Sequence, residues 1–269
     1  MNREPEPDQQ RRRLLAAGLA TLPLAAAASL AATNSRTTGR RIQLDAKPES
    51  IEVDTARTAV IVVDMQNDFG AAGGMFERAG IDISGIRKAV APTARALAAA
   101  RKAGVRVIYL KMGYLPDLSD LGAADSVNRA RHLRLKVGET VRAPDGSASR
   151  ILVRDTWNTA IVDELKPAAD DLVLWKTRFS GFYRTSLQEE LQRFGCRHLI
   201  VTGCTTSICV ESTVRDAMFR DYLPVLLSDC MSEPIGDGLA RSNHEASLLS
   251  TEVLLGWVSD SERFIRSLG

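Results

Sequence analysis

The sequence predicts an α/β protein: a doubly wound parallel sheet with helices on both faces, in a single domain. Three observations carry this. From residue 58 onward, short β-branched runs alternate with stretches of helical period. The runs show no polar alternation, as befits strands covered on both faces. Strand–helix alternation also calls for right-handed crossovers, which build a parallel sheet.

In chain order, residues 1–35 stand apart. Arg11, Arg12 and Arg13 precede the uncharged stretch 14–32, rich in Ala and Leu and closed by small residues. A basic n-region, an apolar h-region and a small-residue end form a secretory-signal pattern. The run QRRRLL at 10–15 resembles a twin-arginine signal. That implies the twin-arginine export machinery as a partner and a periplasmic location. The alternative is an uncleaved anchor, since 19 uncharged residues just suffice to span a bilayer; the protein would then be membrane-tethered, or cytoplasmic if the segment is not used. Cleavage between Ala31 and Asn34 would leave about 235 residues with a net charge near +1. Residues 36–57, polar with one Gly and one Pro, read as a linker or loosely docked N-terminal arm.

The domain proper is 58–269. Its first strand is Thr58–Val63 (TAVIVV), followed by a helix over 84–103 and a strand over 105–110. The stretch 113–155 is richer in Gly, Asp and charge with weak periodicity, and reads as an irregular insertion serving as a lid or pocket wall. Helical stretches at 158–165, 185–194, 207–220 and 238–255 then separate strands at 172–175, 198–202 and 223–227.

Composition removes several function classes. A formal charge of +2, from 35 Lys plus Arg against 33 Asp plus Glu, argues against a nucleic-acid binder built on a basic face. Four cysteines in 269 residues are too few for a disulfide scaffold. Their positions (196, 204, 209 and 230) have neither CxxC pairs nor zinc-ligand spacing, and only three histidines accompany them. GxGxxG and Walker patterns are absent. Neither a metal nor a cofactor is expected.

Ligands of open parallel sheets sit beyond the carboxyl ends of the strands. Asp64 follows the first strand there, Lys176 the one at 172–175, and Gly203–Ser212, with Cys209, the one at 198–202. An acid, an amine and a thiol thus converge on one rim. Cysteine attacks as thiolate, and a thiol with a pKa near 8.5 is only a few per cent ionised at neutral pH. Cys209, in the first turn of the predicted 207–220 helix, should have its anion favoured by free N–H groups and the helix dipole. Lys176 should add to that, and Asp64 could act as general base and then acid. Taken singly, each has a plainer role: a packed thiol, a strand-end cap, a solvated amine. His198 and His244 read as structural or surface residues, and His132, among the basic residues RARHLRLK, as part of a solvated face. Cys196 and Cys230 read as packing residues.

The segments VDMQNDF, WKTRFSGFYRTSL and LIVTGCTTSICVESTVRDA resemble the isochorismatase-like cysteine hydrolases, doubly wound α/β enzymes, with all three motifs in the family's order. GGMFERAGIDIS, FSGFYRT, CVESTVRDA and GWVSD are most similar to the ureidoacrylate amidohydrolases within it. The resemblance implies a catalytic triad of Asp64, Lys176 and Cys209. It also implies a cis peptide between Cys204 and Thr205, an oxyanion hole from the N–H groups of Thr205 and Cys209, and Phe69 on the substrate pocket wall. Tyr114 and Phe179 are assigned to the same pocket. Departures bear on the substrate. Related nicotinamidases carry metal ligands in the loop that here reads KMGYLPD, without histidine. Ureidoacrylate hydrolases usually have Asn and Trp where this chain has Met112 and Tyr114, and Tyr where Phe179 stands.

The expected function is a cysteine-dependent amidohydrolase that cleaves a C–N bond of a small linear ureido or amide substrate, ureidoacrylate-like, through a thioester. Alternatives are a biuret or N-carbamoyl amino acid hydrolase, another carboxamide hydrolase or, from a different class, a non-catalytic small-molecule binding protein on the same scaffold. The family's habit suggests a homo-oligomer.

Overall fold

The structure, a computed structural model, describes residues 39–269; the proposed export segment 1–35 lies outside them. The described chain opens with a hairpin, β1 (Arg41–Leu44) and β2 (Ile51–Asp54), paired antiparallel with Ile42 opposite Val53. The segment expected as a linker or loose arm is therefore ordered secondary structure. Ile42, Leu44, Ile51 and Val53 alternate with polar neighbours and are all buried, the period-2 pattern of a half-buried strand. Lys47 then exchanges backbone hydrogen bonds of 2.8 and 3.0 Å with Val258 at the far end of the chain.

β3 (Thr58–Val63) leads through the one-turn helices α1 (Asn67–Gly70) and α2 (Met75–Arg78) to the long α3 (Ser84–Lys102) and β4 (Arg106–Met112). The 113–155 insertion is more regular than expected, with α4 (Val127–Arg134) and a hairpin of β5 (Thr140–Arg142) and β6 (Ala148–Arg150). Its elements are only three to eight residues long, too short for periodicity to register. The helix expected at 158–165 is two 3-10 turns, Trp157–Thr159 and Asp163–Leu165. Buried Asn158 and Thr159 turn their side chains to Asp68 and to the Val153 carbonyl, bonds that compete with a continuous helix.

β7 (Leu172–Lys176), α5 (Leu187–Arg193), β8 (His198–Cys204), a π turn at Thr206–Val210, α6 (Glu211–Met218) and β9 (Leu223–Ser232) follow. α7 (Asn243–Ser250) starts later than the expected 238, where Ser242 and Glu245 form a reciprocal capping box. β10 (Trp257–Ser259) and α8 (Ser261–Leu268) close the chain.

The central sheet has the order β10-β9-β8-β3-β4-β7 and is parallel throughout. Its two faces feed two cores. Val60 and Val62 pack with Ile86, Leu97, Phe264 and the hairpin, whereas Ala59, Ile61 and Val63 pack with Leu187, Leu191 and Val214. All six residues of β3 are buried, which explains why its sequence is an unbroken apolar run. The chain winds outward through β3, β4 and β7, then returns to β8 beside β3 and proceeds the other way. The switch point of the sheet thus lies between β3 and β8, where such folds bind ligands.

Candidate active site

Asp64 follows β3 directly, with a left-handed φ of 50°. Asp is among the few non-glycine residues that tolerate this conformation, which clusters at functional sites. Its backbone is fixed on both sides: its N–H donates to the Leu110 carbonyl (2.9 Å), and its carbonyl accepts from Gln66 N (2.8 Å) and the Cys204 thiol (3.1 Å). The Gln66 side chain in turn holds both the N–H and the carbonyl of Met112, tying the ends of β3 and β4 together.

Lys176 ends β7, two strands away, a gap of roughly 10 Å at ordinary strand spacing. Only a long side chain can cross it. The butyl stem passes Met112, and Nζ lies 2.7 Å from Asp64 Oδ2 and 3.3 Å from Cys209 Sγ, with a third contact of 3.2 Å to the Arg178 carbonyl. Lysine and aspartate side chains here are at most 1% exposed. A buried ammonium with these partners satisfies the rule that buried charge must be paired.

Cys209 sits in the π turn between β8 and α6. The Thr205 carbonyl accepts from both Ile208 N and Val210 N, at 3.2 Å each, passing over the Cys209 N–H between them. The Cys204–Thr205 peptide is cis, as the resemblance implied. Gly203 before it has φ +117°, and a Cβ there would lie 2.0 Å from the Val63 carbonyl oxygen; only glycine lets β8 approach β3 this closely. Glu233, from the end of β9, pins the π turn by accepting from Ser207 N (3.0 Å), and His244 holds Thr206 Oγ1 at 2.9 Å. His244 and the buried His198 are structural residues, and Cys196 and Cys230 are buried packing residues.

Electrostatics of the three groups differ from the sequence expectation in one respect. Burial pushes the Cys209 thiol up, and Lys176 only partly opposes this. Helix N–H groups and Lys176 favour the thiolate, but the depth of the site, invisible in sequence, outweighs them. Burial likewise raises Asp64 against the pull of Lys176. Lys176 itself is pushed up, because Asp64 and Cys209 together overcome its desolvation. One permanent cation thus faces two groups that can share a single negative charge: either an aspartate beside a thiol, or an aspartic acid beside a thiolate.

Above them opens a cavity of about 430 Å3 with mainly apolar walls. Phe69 and Phe179, expected on the pocket wall, line it together with Asp64, Thr205 and Cys209, while Lys176 is buried beneath its floor. Tyr114 does not line it. Its ring is fully buried, behind His132, with ring centroids 5.4 Å apart, and its hydroxyl bonds Asn128 (3.2 Å). His132 takes the wall position instead. It is 6% exposed, so the solvated face expected for His132 is corrected: α4 turns His132 inward while Leu133 and Arg134 stay exposed, and Arg131, itself exposed, also reaches the cavity wall. The insertion does form pocket wall, through His132, Leu135 and Leu152. Sequence reading missed Glu233 and Asp68 as well, whereas Met112, marked there as a departure bearing on the substrate, does line the cavity. Asp68, within the first motif, accepts from Met75 N (2.9 Å), Leu152 N (2.7 Å) and the Asn158 amide, so it joins three segments around the cavity. Among the described residues, no group of three or more His, Cys, Asp or Glu is placed to hold a metal ion.

Comparison with known proteins fits this geometry. The chain is 39% identical over 228 residues to ureidoacrylate amidohydrolase RutB of Methylobacterium radiotolerans, covering 85% of this chain and 86% of that protein. It is 40% identical to the protein of the same name from Yersinia enterocolitica, covering 82% and 93%. Among solved structures, a cysteine hydrolase from Pseudomonas syringae superposes with a TM-score of 0.68 at 30% identity, over 80% of this chain and 94% of that one. Residues 58–263 match the isochorismatase domain, and the chain belongs to the isochorismatase family.

Proposed function

We propose that the protein is a cysteine-dependent amidohydrolase acting on a small linear ureido or amide substrate, with Cys209 as nucleophile. The contact of one buried ammonium, Lys176, with both Asp64 and Cys209 at the cavity floor carries this reading. Names of the relatives at about 40% identity, ureidoacrylate amidohydrolases, support the substrate class.

In this mechanism the Cys209 proton passes to Asp64 as Sγ attacks the substrate carbonyl, so the pair Lys176–Asp64 becomes Lys176–thiolate without net charge entering the site. Negative charge developing on the carbonyl oxygen is met by the N–H groups of Thr205 and Cys209. Each such donor is worth roughly 3 kcal/mol in acyl transfer. Asp64 returns its proton to the departing amine, the C–N bond breaks and a thioester remains. Water, deprotonated by Asp64, then attacks the thioester; the C–S bond breaks, and Cys209 regains the proton as the acid product leaves. A ureide would yield an amine and then carbamate. Lys176 stays protonated throughout and holds whichever partner carries the charge.

An ammonia- and amine-release screen of ureidoacrylate, biuret, N-carbamoyl amino acids and nicotinamide tests the reading. Turnover of a linear ureide or amide is expected, and Cys209→Ala should lower it below about 1% of wild type with an unchanged melting temperature. Residual activity above that level would rule out the nucleophile. We also propose that residues 1–35 direct export; N-terminal sequencing of the mature protein should begin between residues 32 and 34, and an intact Met1 would refute cleavage.

A further inference from the structure

Beyond Asp64 and Cys209, the cavity wall holds titratable groups whose chemistry the mechanism does not use, His132 among them. His132 lies on α4 with Asn128 one turn before it, and its Nδ1 is 2.7 Å from the Asn128 carbonyl oxygen. A carbonyl can only accept, so Nδ1 carries the proton and the neutral ring keeps its lone pair on Nε2. Nε2 has no hydrogen-bond partner among the described residues, and His132 lines the cavity that also holds Cys209. The ring is clamped between two aromatics, edge-on against Tyr114 and stacked at 6.0 Å on Phe179, and Tyr114 is itself held by Asn128. Burial, with the Lys176 and Arg178 charges, keeps the imidazole unprotonated at neutral pH.

At its own position in the wall, a rigid, neutral acceptor repels an oxygen atom placed against it and rewards a donor. We propose that His132 is a specificity-determining residue: its Nε2 accepts a hydrogen bond from an N–H of the bound substrate, selecting ureides and amides that carry a free N–H over their N-alkylated counterparts. The inference rests on the amidohydrolase reading above, since it concerns the substrate of that same cavity. A buried acceptor left unpaired by an alkylated substrate costs binding, which is why such sites discriminate strongly.

The test compares kcat/KM for an N-carbamoyl amino acid and its fully N-methylated analogue, which has no N–H to donate, in wild type, His132→Phe and His132→Gln. Wild type should prefer the unsubstituted ureide by about tenfold or more. His132→Phe, which keeps the aromatic packing but offers no acceptor, should bring the ratio to within about threefold of unity. His132→Gln, with a carbonyl acceptor, should restore most of it. A selectivity that survives in His132→Phe would overturn the inference, because steric exclusion of the methyl group would then be the cause. Wild-type protein that hydrolyses no amide or ureide would instead overturn the function itself, a result visible before any variant is made. Should His132→Phe fail to fold, 15N NMR of His132 in Cys209→Ala decides. The Nε2 resonance should shift on adding the unsubstituted ureide and not the methylated one; equal responses would overturn the inference.

Discussion

Cys209 and Asp64 share one unit of negative charge beside the Lys176 cation, so removing either acceptor changes the state of the other. Asp64 is one of the reasons the thiol is pushed up. With Asp64→Asn, the ammonium of Lys176 loses its 2.7 Å partner and the thiolate becomes the only nearby anion. The variant should therefore be alkylated by iodoacetamide faster than wild type at pH 7, while its amide turnover falls by at least about a hundredfold for want of a proton donor. Slower alkylation in Asp64→Asn would contradict this charge-sharing account. In wild type the alkylation rate should climb steadily with pH up to 9 without a plateau, because burial holds the thiol above its ordinary range. The triad was legible in the sequence because strand ends are, and an acid, a lysine and a thiol lie just past three of them. His132 was not: Arg129, Arg131 and Arg134 around it give the segment a solvated composition, and only the spacing of Asn128, His132 and Leu135 marks the inward face. The thiol pKa was not legible either, since desolvation depends on depth.

Elements around the cavity are short, and one carboxylate, Asp68, joins three of the segments that carry them. Burial raises Asp68 from 3.8 to about 6, opposed by the Asn158, Leu152 and Met75 donors. The folded protein thus keeps this proton to higher pH than the unfolded chain does. Its contribution to stability is fully present below pH 3.8 and is lost as pH rises through about 6, a difference of order 3 kcal/mol for a shift of this size. Asp68→Asn removes the titration, so the difference in unfolding free energy between wild type and variant, from urea titrations, should change across pH 4–6, with wild type losing relative ground as pH rises. A pH-independent difference would show that Asp68 does not titrate in that window. At this scale the parallel strands were readable, because burial on both faces writes an unbroken apolar run. The hairpin β1–β2 was hidden by its polar outward residues, with only two inward residues per strand to reveal it.

At the scale of the molecule, the hairpin closes one of the two cores. Ile42, Leu44, Ile51 and Val53 join Phe264 and Leu268 in a single cluster on the α3–α8 face, and each buried aliphatic side chain is worth about 1.5–3 kcal/mol. A chain beginning at residue 36 should keep the full-length melting temperature and kcat. One beginning at residue 58, where the family match starts, should lose at least about 3 kcal/mol in urea unfolding; equal stability of the two would mean the hairpin is dispensable. The sheet order itself, with its reversal between β3 and β8, followed from strand–helix alternation only as a class. Which strands neighbour one another depends on long-range pairing that local patterns do not encode.

The depth of Cys209 also bears on how long such an enzyme can last. Peroxide and disulfides attack thiolates, not thiols, and need access to the sulfur. Here the sulfur belongs to a residue 7% exposed, and burial favours its protonated form; in the proposed mechanism it ionises only as Asp64 takes the proton. The other three cysteines are free and buried too, so stray cross-linking has no handle in the folded state. If the proposed export holds, a nucleophilic Cys209 outside the reducing cytosol would be exposed to oxidative damage chiefly during the moments of turnover.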